Sequence, residues 1–312
     1  MTVRAENLVA VQGQIETLGD LVWYSVRRML VSRDELEQAA QRAGLDPNYL
    51  PGEITPTDAF RRATSERDDQ ELEIGDGLRA RLLIREVAVD RDRVVRQVVR
   101  EVVNAQQVRL EYTPIASLVL ERASGEVNIE WLATPRHDEG QRVDEIRRHY
   151  EVCLVRYNDI HVRDVVRRVL AECQPTPLRK AGGVYFVPRD HRGLVHALRA
   201  FLEVLAEYHD NRAALWAVPV VDTQEQREMV RAHLAEYVAV EIARLRDEMA
   251  DLLRENRSIT ETQARRYVEA IRGLRKQVEA YQELLREALA ETESSVEVVL
   301  QQAMSLLQRV ST

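Results

Sequence analysis

The sequence predicts an α+β protein. β-branched runs separated by turn residues dominate the first half, and heptad-spaced apolar residues mark long helices after Asp222. Only nine prolines and twelve glycines interrupt 312 residues, which favours long regular elements. The length allows two or three domains, each with its own core. An apolar fraction of 45% with 31% charged residues belongs to a folded globular chain.

Four regions are expected in order. Residues 1–64 read as helical, because Leu21, Val22, Tyr24, Val26 and Met29 of "LGDLVWYSVRRML" (18–30) share one broad helical face. "SRDE" (32–35) is a capping box that opens a helix through Ala43, and Gly44 stops it. "PTDAFRRA" (56–63) opens another short helix at Pro56 or Thr57.

The stretch "QAAQRAGLDPNYLP" (38–51) has the small residue, turn glycine and apolar anchor of a helix-turn-helix in Ala40, Gly44 and Leu50. A recognition helix needs several turns to lie in a major groove. Pro47 and Pro51 leave about one turn, so a tight turn with packed Tyr49 and Leu50 is the better reading.

Residues 65–133 comprise an acidic connector, 65–77, and a β-meander over 79–89, 93–103, 108–121 and 126–133. The second of these has valine doublets that also fit half a helical wheel; its β-branched apolar side and flanking turns favour a strand. Ser124-Gly125 marks a hairpin.

Residues 142–221 read as a small α/β unit with a basic bias. It comprises helices at 142–157, 161–173 and 191–209 and strands at 182–188 and 214–221. A winged-helix arrangement with "RKAGGVYFV" as the wing is the alternative.

Residues 222–312 read as an antiparallel coiled-coil hairpin with a terminal helix. "DTQE" (222–225) and "SITE" (258–261) are the expected caps. One seam runs through Val238, Ile242, Leu245, Met249 and Leu252, the other through Tyr267, Ile271, Leu274, Val278, Tyr281 and Leu285. A third amphipathic helix, 295–310, follows through Val296, Val299, Leu300, Leu307 and Val310.

Enzyme chemistry is hard to find. None of the seven histidines makes a zinc-hydrolase pair, and neither Cys153 nor Cys173 has a partner at metal-ligand spacing. "GDG" (75–77) lacks the third glycine and lysine of a phosphate loop, and the glycines of "AGGVYF" precede a strand instead of following one. No serine sits in a glycine-flanked elbow. The expectation is a non-enzymatic chain with no cofactor, metal or catalytic residue.

No apolar run is long enough to span a membrane and the first residues do not form a signal peptide, so a cytoplasmic protein is expected. Two buried thiols fit that compartment, with a disulfide the alternative.

The net charge is −8, yet residues 141–192 hold eleven basic against seven acidic side chains. Arg163, Arg167, Arg168, Arg179 and Lys180 are therefore candidates for sequence-independent phosphate contacts. Asp159, Asp164 and Glu172, interleaved among them, support the opposing reading of an ion-paired helix face. All basic residues except Lys180 and Lys276 are arginine.

"GGVYFVPRDHRGLVHALRAFLEVL" (182–205), with flanks reaching back into the β-rich part and forward to "LWAVPVVD" (215–222), resembles uncharacterised proteins of phages, plasmids and related mobile elements. That resemblance implies a mobile-element context and a cytoplasmic host, and it brings no catalytic residue.

The expected function is self-association or protein interaction through the C-terminal helices. A two-fold homo-oligomer is the simplest form, since Tyr237 and Leu253 lie outside the seam. A nucleic-acid-binding accessory factor built on 142–192 is the alternative.

Overall fold

The computed structural model describes residues 16–67, 70–73, 78–104, 106, 108–136, 138–179, 183–254 and 260–310. The expectations for residues 1–15, "GDG" at 75–77, Lys180 to Gly182 and Ser258 lie outside that set, as do the side chains of Leu253 and Val310. The α+β class holds, with antiparallel sheets throughout. The chain divides into two compact units. One comprises Met1–Arg27, Gln38–Tyr49 and Arg163–Thr312, the other Arg28–Glu37 and Leu50–Val162. Residues 142–221, expected as one α/β unit, are thereby shared between them.

The first unit is organised on strand β1 (Thr17–Val26), where the sequence reading expected a helix. Leu18, Val22 and Val26 are buried at a spacing of four, which a helix and a strand both satisfy. What decides is pairing. β1 lies centrally in a four-stranded sheet of order β11-β1-β10-β9, with β11 (Ala213–Val221) on one side and β10 (Tyr185–Pro188) on the other. β9 (Thr176–Pro177) completes it. β10 and β11 therefore do not neighbour each other, and β10 belongs to this sheet, not to a free wing. Pro177 and Pro219 lie on the two edge strands, where a missing N–H is tolerated.

Helix α5 (Arg192–Tyr208) packs on β11 and buries Leu198, Phe201, Leu202 and Leu205. The C-terminal helices α6 (Gln224–Arg254), α7 (Glu261–Leu285) and α8 (Ala290–Val310) share a core with Leu18, Phe186 and Val220 of the sheet. The Tyr281 hydroxyl joins this core to the sheet, donating to the Gln174 carbonyl at 3.0 Å and bonding Thr176 Oγ1 at 2.8 Å.

Every expected seam residue is buried or, for Leu252 and Tyr267, partly buried. However, α7 packs more extensively on α8 than on α6, so the seam closes a three-helix core in place of a two-stranded coil. The caps also sit later than expected. Thr260 and Gln263 form the box of α7, and Thr223 accepts from Gln226 N at 3.3 Å while Asp222 binds Arg227.

In the second unit, strands β3 (Gln70–Glu73), β4 (Arg79–Val89), β5 (Arg93–Val103), β6 (Arg109–Glu121) and β7 (Val127–Trp131) form a meander in chain order. β3 falls within the expected connector; its pairing with β4 supplies the order that composition hid. Residues 93–103 are a strand, and the valine doublets reflect burial on both faces, Val94 and Val98 on one and Val99 and Val103 on the other.

Helices α2 (Pro56–Ser65) and α3 (Glu139–Val155) cover one face. There Phe60 meets Tyr150 edge to face, with ring centroids 6.1 Å apart. A short pair, β2 (Leu30–Val31) with β8 (Tyr157–Asn158), accompanies the meander.

α1 (Arg33–Ala43) starts at the predicted box, Ser32 N donating to Glu35 Oε2 at 2.6 Å. It ends at Gly44 with φ of 65°, and only one 3-10 turn, Pro47–Tyr49, follows. No recognition helix forms there. α4 (Asp159–Glu172) is the remaining α-helix among the described residues.

Candidate functional site

Among the described residues, no group of three or more His, Cys, Asp or Glu is placed to hold a metal. Cys153 and Cys173 are free and buried. Burial pushes the Cys173 thiol up to about 12, and the group donates to the Val169 carbonyl at 3.3 Å. A thiol held so far from ionisation stays protonated at neutral pH.

The arginines singled out from sequence occupy different environments. Arg163 donates to the Val26 carbonyl at 2.6 Å and Arg168 to the Tyr49 carbonyl at 3.3 Å, which ties α4 to neighbouring backbone. Arg167 pairs with Asp164 at 2.6 Å along the helix surface. Arg179 is exposed after β9 and lines a pocket of about 280 Å³ with His233 and Tyr237. Lys180 lies outside the described residues. Thus the structure brings three of the five onto one helix, with two of them engaged on backbone oxygens.

A larger feature lies on the helical bundle. Helix directions follow from side-chain contacts at the ends. Arg227 near the start of α6 donates to the Leu285 carbonyl at the end of α7, so these two are antiparallel. Gln282 meets Glu293 at 3.4 Å and Arg275 meets Glu297 at 3.9 Å, so α7 and α8 are antiparallel as well. α6 and α8 therefore run parallel, and between them lies a groove of about 530 Å³.

Its α6 wall is Ala235, Ala239 and Ala243, and its α8 wall is Ser295, Val298 and Gln302. Small side chains at a spacing of four let another backbone approach closely. Val298 is 55% exposed. Glu291 stands near the Ala235 end and Arg246 near the Gln302 end, both exposed and in no ion pair among the described residues. The spacing 291, 295, 298, 302 is itself a heptad stripe on the solvent side of α8.

Sequence reading missed this groove. Alanine at 235, 239 and 243 is legible as a stripe, but its meaning depends on which helix lies beside it. Tyr237, expected to be an outer apolar residue, packs against the bundle core.

A family model matches residues 17–312, almost the entire chain. The chain belongs to the DUF6744 family, a family of unknown function. No curated protein and no solved structure matches it. The match takes in both units of this DUF6744 chain, the sheet and bundle as well as the meander. None of its described helices is long and apolar enough to cross a membrane.

Proposed function

We propose that this protein is a self-associating assembly component whose C-terminal bundle pairs with a second copy across the α6–α8 groove. The observation that carries this reading is the charge arrangement along the groove. An acid marks one end and a base the other, with small and apolar residues between. A two-fold axis across the groove sets two copies antiparallel. Arg246 of each then stands at the same end as Glu291 of the other, diagonally across the groove, and Val298 of each meets the other's α8 stripe.

The basic residues of 142–192 support nucleic-acid binding less well, because Arg163 and Arg168 already hold backbone carbonyls. The likeness of 182–205 to proteins of phages and plasmids supports a mobile-element setting for such an assembly, in the cytoplasm of its host.

Light scattering tests the pairing. The wild type should show about twice the 35.9 kDa chain mass at micromolar concentration. Arg246→Glu or Glu291→Arg alone should shift it toward the monomer, and the two together should restore the dimer. A monomeric wild type, or a dimer indifferent to all three variants, overturns the reading.

A further inference from the structure

The register of β1 against β11 sets a column of residues on one face of the four-stranded sheet. Leu21 faces Val218, Trp23 faces Trp216, and Ser25 faces Ala214. Alternation along an antiparallel pair keeps these side chains on the same side. Leu21 packs against the helical-bundle core, while Val218 opposite it is exposed. Beyond it the face opens. Trp23 and Trp216 stack with ring centroids 5.9 Å apart and planes 15° from parallel, and Trp216 remains 44% exposed. One step past the strand ends, Arg27 N donates to the Arg212 carbonyl at 2.7 Å, so two arginines continue the column. Both are exposed, and Arg27 makes no ion pair among the described residues.

We propose that this column is a binding site for single-stranded nucleic acid, with a base stacked on Trp216 and the following phosphate held by Arg27, beside Arg212. Flat aromatic surface next to cations is the combination that single strands use, because every base has a π-face and every nucleotide a phosphate. Two residues of strand rise separate Trp23 from Ser25, and two more reach Arg27, about 14 Å in all. That distance spans about two nucleotides. A cross-strand tryptophan pair alone accounts for strand pairing, but not for arginines on the same column. A duplex keeps its bases stacked inside and has no free face to offer, so the site selects single strands. The inference is independent of self-association, since the column lies on the sheet and the groove on the helices.

The test is fluorescence anisotropy of a labelled oligothymidylate, with tryptophan quenching recorded in parallel at 50 mM salt. A duplex of equal length and a β-linked oligosaccharide serve as competitors. The wild type should bind the single strand at micromolar protein with quenching, and the duplex should compete poorly. Trp216→Leu, which keeps an apolar strand residue, should weaken binding by about tenfold or more. Arg27→Gln, on an exposed side chain that leaves the core intact, should flatten the salt dependence by about 0.7 units of slope. Circular dichroism of both variants checks that they fold. The proposal fails if the wild type does not bind, if both folded variants bind as the wild type does, or if only the oligosaccharide quenches tryptophan.

Discussion

Arg100 on β5 and Glu139 at the start of α3 form an ion pair, Nε donating to Oε1 at 2.5 Å, with the side chains only 3% and 1% exposed. Glu111 accepts from the same guanidinium at 3.2 Å, and Arg136 N donates to Glu139 Oε2 at 2.7 Å. The hydrogen bond that Arg100 donates to Glu139 is the chief cause that holds the Arg100 pKa above its ordinary value. Neither charge is left unpaired, as burial requires. Glu139→Ala should cost about 3–5 kcal/mol in urea unfolding, because it removes the buried partner of the arginine and leaves only the half-buried Glu111. Arg100→Met with Glu139→Leu should cost clearly less than that single change. Equal losses for the single and double variants would mean that packing, not charge, sets the effect.

Gly19 is required by the close approach of β10. A Cβ built there would lie 2.0 Å from the Val187 carbonyl oxygen, and backbone atoms cannot swing aside. Gly19→Ala should therefore separate β1 from β10 and sharply lower the melting temperature. Gly52→Ala, where nothing lies within 4 Å of the added methyl, is the control and should melt like the wild type. Similar melts for the two variants would contradict the crowding argument.

Leu274 lies in the core shared by α6, α7 and α8. Leu274→Asp places a charge in that core and should lower stability by more than about 3 kcal/mol. Leu252→Asp, near the partly buried end of α6, should have a much smaller effect. Thermal melts by circular dichroism compare them, and an unaltered Leu274→Asp melt would place that residue in solvent.

Alkaline pH should destabilise the fold from about pH 9 upward. The Cys173 thiol ionises near 9.0 when exposed but only at about 12 in the fold, so the neutral form is favoured by folding. Stability from this group is complete below 9 and is lost as pH rises toward 12, by about 1.4 kcal/mol per unit. Burial also raises the Tyr281 phenol above its usual value of 10.0, which adds to the loss above that pH. Denaturant midpoints measured from pH 7 to 11 should fall, and less steeply for Cys173→Ala. Titration with a thiol reagent at pH 8 should find neither cysteine in the folded protein and both after denaturation.

The sequence by itself determined the local elements whose cause is local. The Ser32–Glu35 cap, the stop at Gly44, the hairpin at Ser124-Gly125 and the heptad positions from Val238 to Leu285 are all read from neighbours within a few residues. The meander was legible for the same reason, since its strands pair in chain order across short turns. Tertiary structure decided the rest. Strand β1 pairs with β10 and β11, far away in sequence, and nothing in 18–30 names those partners. Buried residues four apart satisfy a helix as well as a strand, so only the neighbouring strands could choose between them. The candidate sites belong to the same class. An alanine stripe becomes a groove only beside α8, and Trp23 becomes a platform only beside Trp216, because contact between distant segments, not composition, creates a surface.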